Sequence, residues 1–75
     1  MEPLIIKHTG KNFTECLQII NKVWEIAETQ NHHPDIKLHS YKHLEFTLFT
    51  HDTWKVTEKD NILAEAIKTI LADFS

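Results

Sequence analysis

The residues best suited to moving protons gather in the middle of this chain. His32 and His33 are adjacent and run into Pro34 and Asp35, Glu28 precedes them, and His51 follows His32 by 19 positions. An imidazole has an unperturbed pKa of about 6.5, so it can give or take a proton near neutral pH. Glu28 lies four positions before His32, so the two share a face if the last helical turn continues, and the carboxylate can then orient the ring. A hairpin that returns His51 beside the pair would line one cleft with three imidazoles and a carboxylate, a set suited to general acid–base chemistry.

Each of these residues also has an ordinary structural use. His32-His33 fits a solvated loop, Glu28 an exposed helix carboxylate, His51 the end of a strand, and Asp60 the start of a helix. Trp24, at helical spacing, reads as core. Trp54 falls in a connection and either packs on the sheet or flanks a cleft. Three histidines and a carboxylate are also possible zinc ligands, but neighbouring side chains such as His32 and His33 diverge, and no metal site is expected. Cys16 falls inside an apolar stripe, which argues against a nucleophile.

These residues need elements to position them. Leu4-Ile5-Ile6 reads as a short strand and His8 to Asn12 as a turn holding the only glycine. From about Phe13 to Gln30, Phe13, Leu17, Ile20, Trp24 and Ala27 recur at helical spacing, and Cys16, Ile19, Val23 and Ile26 widen that stripe into a core-facing surface. Asn12 or Thr14 can cap the start of this helix. Asn31 can end it in the left-handed conformation, and Pro34 cannot continue it. Ile36 to Ser40 and about Leu44 to Thr50 read as the strands of a hairpin. Leu44, Phe46 and Leu48 lie on its core face; the other face is mostly polar and open to solvent or a ligand. Thr57 caps a last helix with Asp60 at its third position, in the manner of a capping box, and Ile62, Leu63, Ala66, Ile67, Ile70, Leu71 and Phe74 form its apolar stripe. The expected fold is α+β: an antiparallel sheet with two helices packed on one face, in the order strand, helix, strand, strand, helix.

The whole chain sets further bounds. Seventy-five residues make one domain, residues 1–75, and a chain this short buries only about 60% of the surface it exposes when unfolded. Its thin core makes self-association a reasonable expectation. The net charge is −3 with no Lys/Arg cluster, so no direct contact with nucleic acid is expected. No segment approaches a membrane span, and one cysteine forms no internal disulfide, so a cytoplasmic protein is expected.

Taken together, Ala27-Glu28, His32-His33-Pro34-Asp35, Thr50-His51, Val56-Thr57-Glu58-Lys59-Asp60 and the tail Leu63-Ala64 with Ile67 resemble the pterin-4a-carbinolamine dehydratases. The likeness covers roughly Phe13 to Ile70. It implies a cofactor-free elimination of water from 4a-hydroxytetrahydropterin to quinonoid dihydropterin, which serves the recycling of tetrahydrobiopterin used by aromatic amino acid hydroxylases. By the same likeness His32, His33 and His51 are the acid–base and pterin-binding histidines, Glu28 contacts the pterin or supports a histidine, and Asp60 completes the cleft. A homodimer or homotetramer is implied, and some members also pair with transcription factors. The alternative is therefore a non-catalytic dimerisation or partner-binding module, with Ile62, Ile70 and Phe74 as its surface. Ile36 stands where the family often has Trp, Lys55 where it usually has Gly, and the hairpin is about one residue longer than usual. The chain also starts near the family's first strand, without the N-terminal helix of longer members.

Overall fold

A computed structural model describes residues 3–50 and 55–74; His51 and Trp54 lie outside the described residues. Its elements are β1 (Leu4–Thr9), α1 (Phe13–Gln30), β2 (Asp35–His39), β3 (His43–Leu48) and α2 (Glu58–Ala72). The sheet is antiparallel throughout in the order β1-β3-β2, which is the expected α+β arrangement. β1 is longer than its apolar run suggests. His8 and Thr9 pair with Leu44 and His43 instead of forming a turn, because β3 extends far enough to receive them.

α1 starts and stops on local chemistry. The Asn12 side chain accepts the Glu15 N–H at 2.8 Å, satisfying one of the free donors of the first turn. At the other end Asn31 is left-handed (φ 50°), and the N–H groups of Asn31 and His32 return to the carbonyls of Glu28 and Ala27. This is a Schellman-type end, which turns the chain sharply away from the helix axis.

Strand alternation separates two faces. Leu44, Phe46 and Leu48 are buried beneath the helices, with Leu4, Ile6 and Leu38 beside them. α2 adds Leu63, Ala64, Ile67, Ile70 and Leu71. Each fully buried Leu, Ile or Phe side chain contributes about 1.5–3 kcal/mol. The expected stripe on α1 is displaced. Cys16, Ile19, Val23 and Ala27 are buried, whereas Phe13, Leu17 and Trp24 stay exposed, Trp24 by 57%. A helix apolar over so wide an arc presents more surface than a three-stranded sheet and one neighbouring helix can cover. Ile70 is buried in the core, which removes it from the expected partner surface; Phe74 is partly buried against the core and Ile62 remains exposed.

The outer face of the sheet carries mostly polar cross-strand rows: Thr9, His43 and His39, then Lys7, Glu45 and Lys37, then Thr47 and Asp35 with the exposed apolar Ile5. Behind the hairpin turn, the Gly10 N–H donates to the Lys42 carbonyl at 2.9 Å. A Cβ at Gly10 would stand 2.8 Å from Cys16 Sγ, so only glycine lets the chain pass there. No helix among the described residues is long and apolar enough to cross a membrane.

Candidate active site

The site forms where the end of α1, the start of β2, Thr50 and the start of α2 meet. The turn at Asn31 directs His32 toward α2, and Pro34, which disfavours a helical residue before it, precedes the start of β2 at Asp35. His32 Nε2–H donates to Asp60 Oδ1 at 2.6 Å; the histidine is 12% exposed and the carboxylate fully buried. His33 Nε2–H donates to Glu28 Oε2, in a pair more than half exposed on both sides.

Glu28 thus meets His33 and not His32, against the sequence expectation. The i, i+4 relation requires the helix to continue, and it ends at Gln30. The left-handed residue swings His32 to the far side and leaves His33 within reach of Glu28.

Asp60 serves two purposes at once. Its Oδ2 accepts the Thr57 N–H at 2.9 Å, the return half of a capping box, and the Thr50 hydroxyl, also at 2.9 Å. Thr50 and Thr57 hydroxyls lie 2.6 Å apart, and Thr50 is held by its N–H bond to the Lys55 carbonyl at 2.8 Å. Burial alone would push the Asp60 carboxyl up. The bonds from His32, Thr57 and Thr50, with the charge of His32, outweigh burial and hold it below its ordinary value.

An ionised carboxylate only accepts hydrogen bonds, so Asp60 requires the proton on His32 Nε2. Glu28 imposes the same on His33. Each ring is left with Nδ1 as the atom that can take or give a proton, and the carboxylate stabilises the imidazolium that results. The two histidines share a cleft of about 380 Å³ with Asn31, Pro34, Asp35, Thr50 and Lys59. An apolar recess of about 450 Å³ adjoins it, lined by Ile20, Trp24, Ala27 and Ile36 and sharing His33 and Pro34. His51 lies outside the described residues, although Thr50 before it is bonded to Asp60.

Glu28, His32, His33 and Asp60 are therefore brought together as two carboxylate–imidazole pairs. Thr50 stands out in the sequence only within the Thr50-His51 motif, which does not mark it as a partner of Asp60, and nothing there marks Lys59 as a lining residue. The three-residue spacing of Thr57 and Asp60 marks only the helix start. Cys16 is buried and donates to the Lys42 carbonyl, far from any role as a nucleophile. Among the described residues no group of three or more His, Cys, Asp and Glu side chains is placed to hold a metal ion.

Comparison with known proteins shows the family. The family model of pterin 4 alpha carbinolamine dehydratase matches residues 2–70. A protein of Nostoc punctiforme, provisionally named pterin-4-alpha-carbinolamine dehydratase, is 42% identical over 67 residues, covering 89% of this chain and 71% of its own. A Rubrobacter xylanophilus protein with the same provisional name is 44% identical over 57 residues, covering 76% of this chain; the chain spans about half (52%) of its length. A crystal structure described as a transcriptional coactivator/pterin dehydratase from Brucella melitensis superposes with a TM-score of 0.84 at 28% identity, over 92% of this chain and 72% of that one. With a family match over residues 2–70 and relatives more than 40% identical, this chain belongs to the pterin-4a-carbinolamine dehydratase family.

Proposed function

We propose that this chain eliminates water from a 4a-hydroxytetrahydropterin, giving the quinonoid dihydropterin by histidine acid–base catalysis in pterin recycling. The observation that carries the reading is the pair of imidazoles, His32 and His33, each held at Nε2 by a carboxylate and both lining one polar cleft. The elimination is redox-neutral. A base takes one proton from the ring, an acid gives one to the departing hydroxyl, and water leaves. In this reading His32, His33 and His51 supply those protons, and Glu28 and Asp60 set the rings and meet the pterin's polar edge. The reaction itself calls for no cofactor. The adjoining recess beside Trp24 offers an apolar wall for a flat bicyclic ring. A cytoplasmic setting fits the single buried, unpaired cysteine. The test is the absorbance decay of a synthetic 4a-carbinolamine with and without folded protein. Clear acceleration near neutral pH is expected, and no acceleration overturns the reading.

A second reading concerns assembly. Phe13, Leu17 and Trp24 lie on one exposed flank of α1, with exposed Ile36 nearby across the apolar recess. That flank is a suitable contact for a second copy of this chain, since burying it would add to a small core. Sedimentation at micromolar concentration is expected to give a multiple of the 8.8 kDa chain mass. Trp24→Lys should shift it toward monomer. A strictly monomeric wild type rules this assembly out.

A further inference from the structure

One charged residue of the cleft has no part in the proton transfers. Lys59 lines the cleft of His32 and His33, and it also lines a smaller recess of about 210 Å³ with Gln30, His32 and Ile62. It stands in the first turn of α2, where the helix macrodipole disfavours a cation. Thr57 and Asp60 complete the capping box without it, so the helix start does not require it. Among the described residues Lys59 forms no ion pair that would offset its placement. The nearby carboxylates are engaged elsewhere: Glu28 holds His33, and Asp60 holds His32, Thr50 and Thr57. The cleft lining includes one further carboxylate, Asp35, whereas the described lining of the recess includes none. Lys59 is thus the cation at the recess end of the site.

The chemistry of the elimination says what lies beside it. The departing proton comes from N5 of the pterin and the hydroxyl from C4a, so a histidine serving either one stands at the N5–C4a edge. Carbon 6 is bonded to N5, and it carries the substituent that distinguishes one pterin from another. His32 lines both the cleft and the recess. With His32 at the reacting edge, the substituent on carbon 6 leaves the ring next to it, where the recess opens. We propose, on the basis of the dehydratase reading, that this recess holds the carbon-6 substituent and that Lys59 favours pterins in which the substituent is anionic, a phosphate ester or a carboxylate.

The lining suits such a group. An ammonium is a compact charge with three donors, and the Gln30 side-chain amide adds two more. Ile62, exposed on α2, offers its aliphatic surface to the carbons that join the anion to the ring. A pterin with an uncharged substituent leaves the ammonium to water. The charge of Lys59 is not needed at the ring itself, where His32 and His33 and their carboxylates already supply donors and acceptors. The residue therefore sets which pterin is preferred and not how the proton moves. Because Lys59 is exposed, the preference is modest in size.

The full-length chain should be titrated by calorimetry near neutral pH with 6-carboxypterin, with the phosphate ester of 6-hydroxymethylpterin, and with uncharged 6-methylpterin. The wild type is expected to bind at least one charged pterin about fivefold more tightly than 6-methylpterin, the upper range for an exposed ion pair. Which of the two is preferred identifies the anion. The preference should shrink as sodium chloride is added. Lys59→Met should bring the ratio of affinities close to one, and Lys59→Arg should keep most of it, since a guanidinium also holds oxyanions. Circular dichroism checks that both variants fold, as expected for an exposed position. Lack of any preference in the wild type, or a preference that Lys59→Met keeps, overturns the proposal. A wild type that shows no preference yet accelerates dehydration of an uncharged carbinolamine overturns this subsite alone and leaves the dehydratase reading standing.

Discussion

Replacing Asp60 with alanine is expected to cost the fold roughly 3 kcal/mol, the range seen when one partner of a buried ion pair is removed. Among the described residues, His32 Nε2–H, the Thr57 N–H, the Thr50 hydroxyl and, at 3.4 Å, the Thr57 hydroxyl donate to this fully buried carboxylate. Without it they lose an acceptor in a region that water reaches poorly. A 75-residue domain has about 4–11 kcal/mol of stability in total, so the loss is a large share of it. Asp60→Asn separates fold from chemistry. The amide keeps the shape and one oxygen, but its NH2 must face a former donor. If it faces His32, the ring must accept at Nε2 and carry its proton on Nδ1, and the base is lost. Dehydration should then fall about 10²-fold or more while much of the fold survives. The pH dependence has a definite sign. The carboxyl lies below its ordinary value in the folded chain. Its stabilisation is therefore fully present above the unfolded pKa of about 3.9 and is lost as pH falls through the lower folded value. Urea unfolding of wild type and Asp60→Asn should differ most above about pH 5 and converge in stronger acid. A difference that grows on acidification would contradict the role given to Asp60.

Much of this was legible before any coordinates. The extent of α1 and its Asn31 terminator are local chemistry, written in side chains within a turn of where they act, and Asn12 was one of the two caps that the sequence offered. The inward face of β3 was legible for the same reason, since strand alternation leaves Leu44, Phe46 and Leu48 no choice but to point together. The exposed flank of α1 was not, because burial depends on how much partner surface exists, and periodicity does not count strands. The pairing within the site was also hidden. Glu28 to His33 and His32 to Asp60 follow from the direction in which the chain leaves Asn31, and a single left-handed residue exchanges the partners that helical spacing suggests. Asp60 reads as a helix-start residue from its spacing to Thr57, and it is one; its second role needs Thr50 and His32, brought to it from 10 and 28 positions away.

His32→Ala is expected to lower carbinolamine dehydration about 10²-fold or more, the ordinary loss of a positioned acid or base. His33→Ala should cost less, on the order of 10-fold. The contrast follows from burial. His32 is nearly enclosed and held by a buried carboxylate, so its ring is fixed before substrate arrives, whereas His33 and Glu28 are both more than half exposed. An exposed ion pair holds its geometry weakly, and less catalysis can rest on it. Alanine at position 32 also leaves the Asp60 charge buried without its partner, so lost activity alone would be ambiguous. His32→Gln removes the ambiguity: its amide can still donate to Asp60 Oδ1 but takes no proton at neutral pH. It should unfold closer to the wild type than His32→Ala does and be equally inactive. His51→Ala should match His32→Ala in activity if the third imidazole shares the work. A folded His32→Gln that retains wild-type turnover would mean that the ring Asp60 holds serves only the fold, and the proton transfers would have to be assigned to His33 and His51.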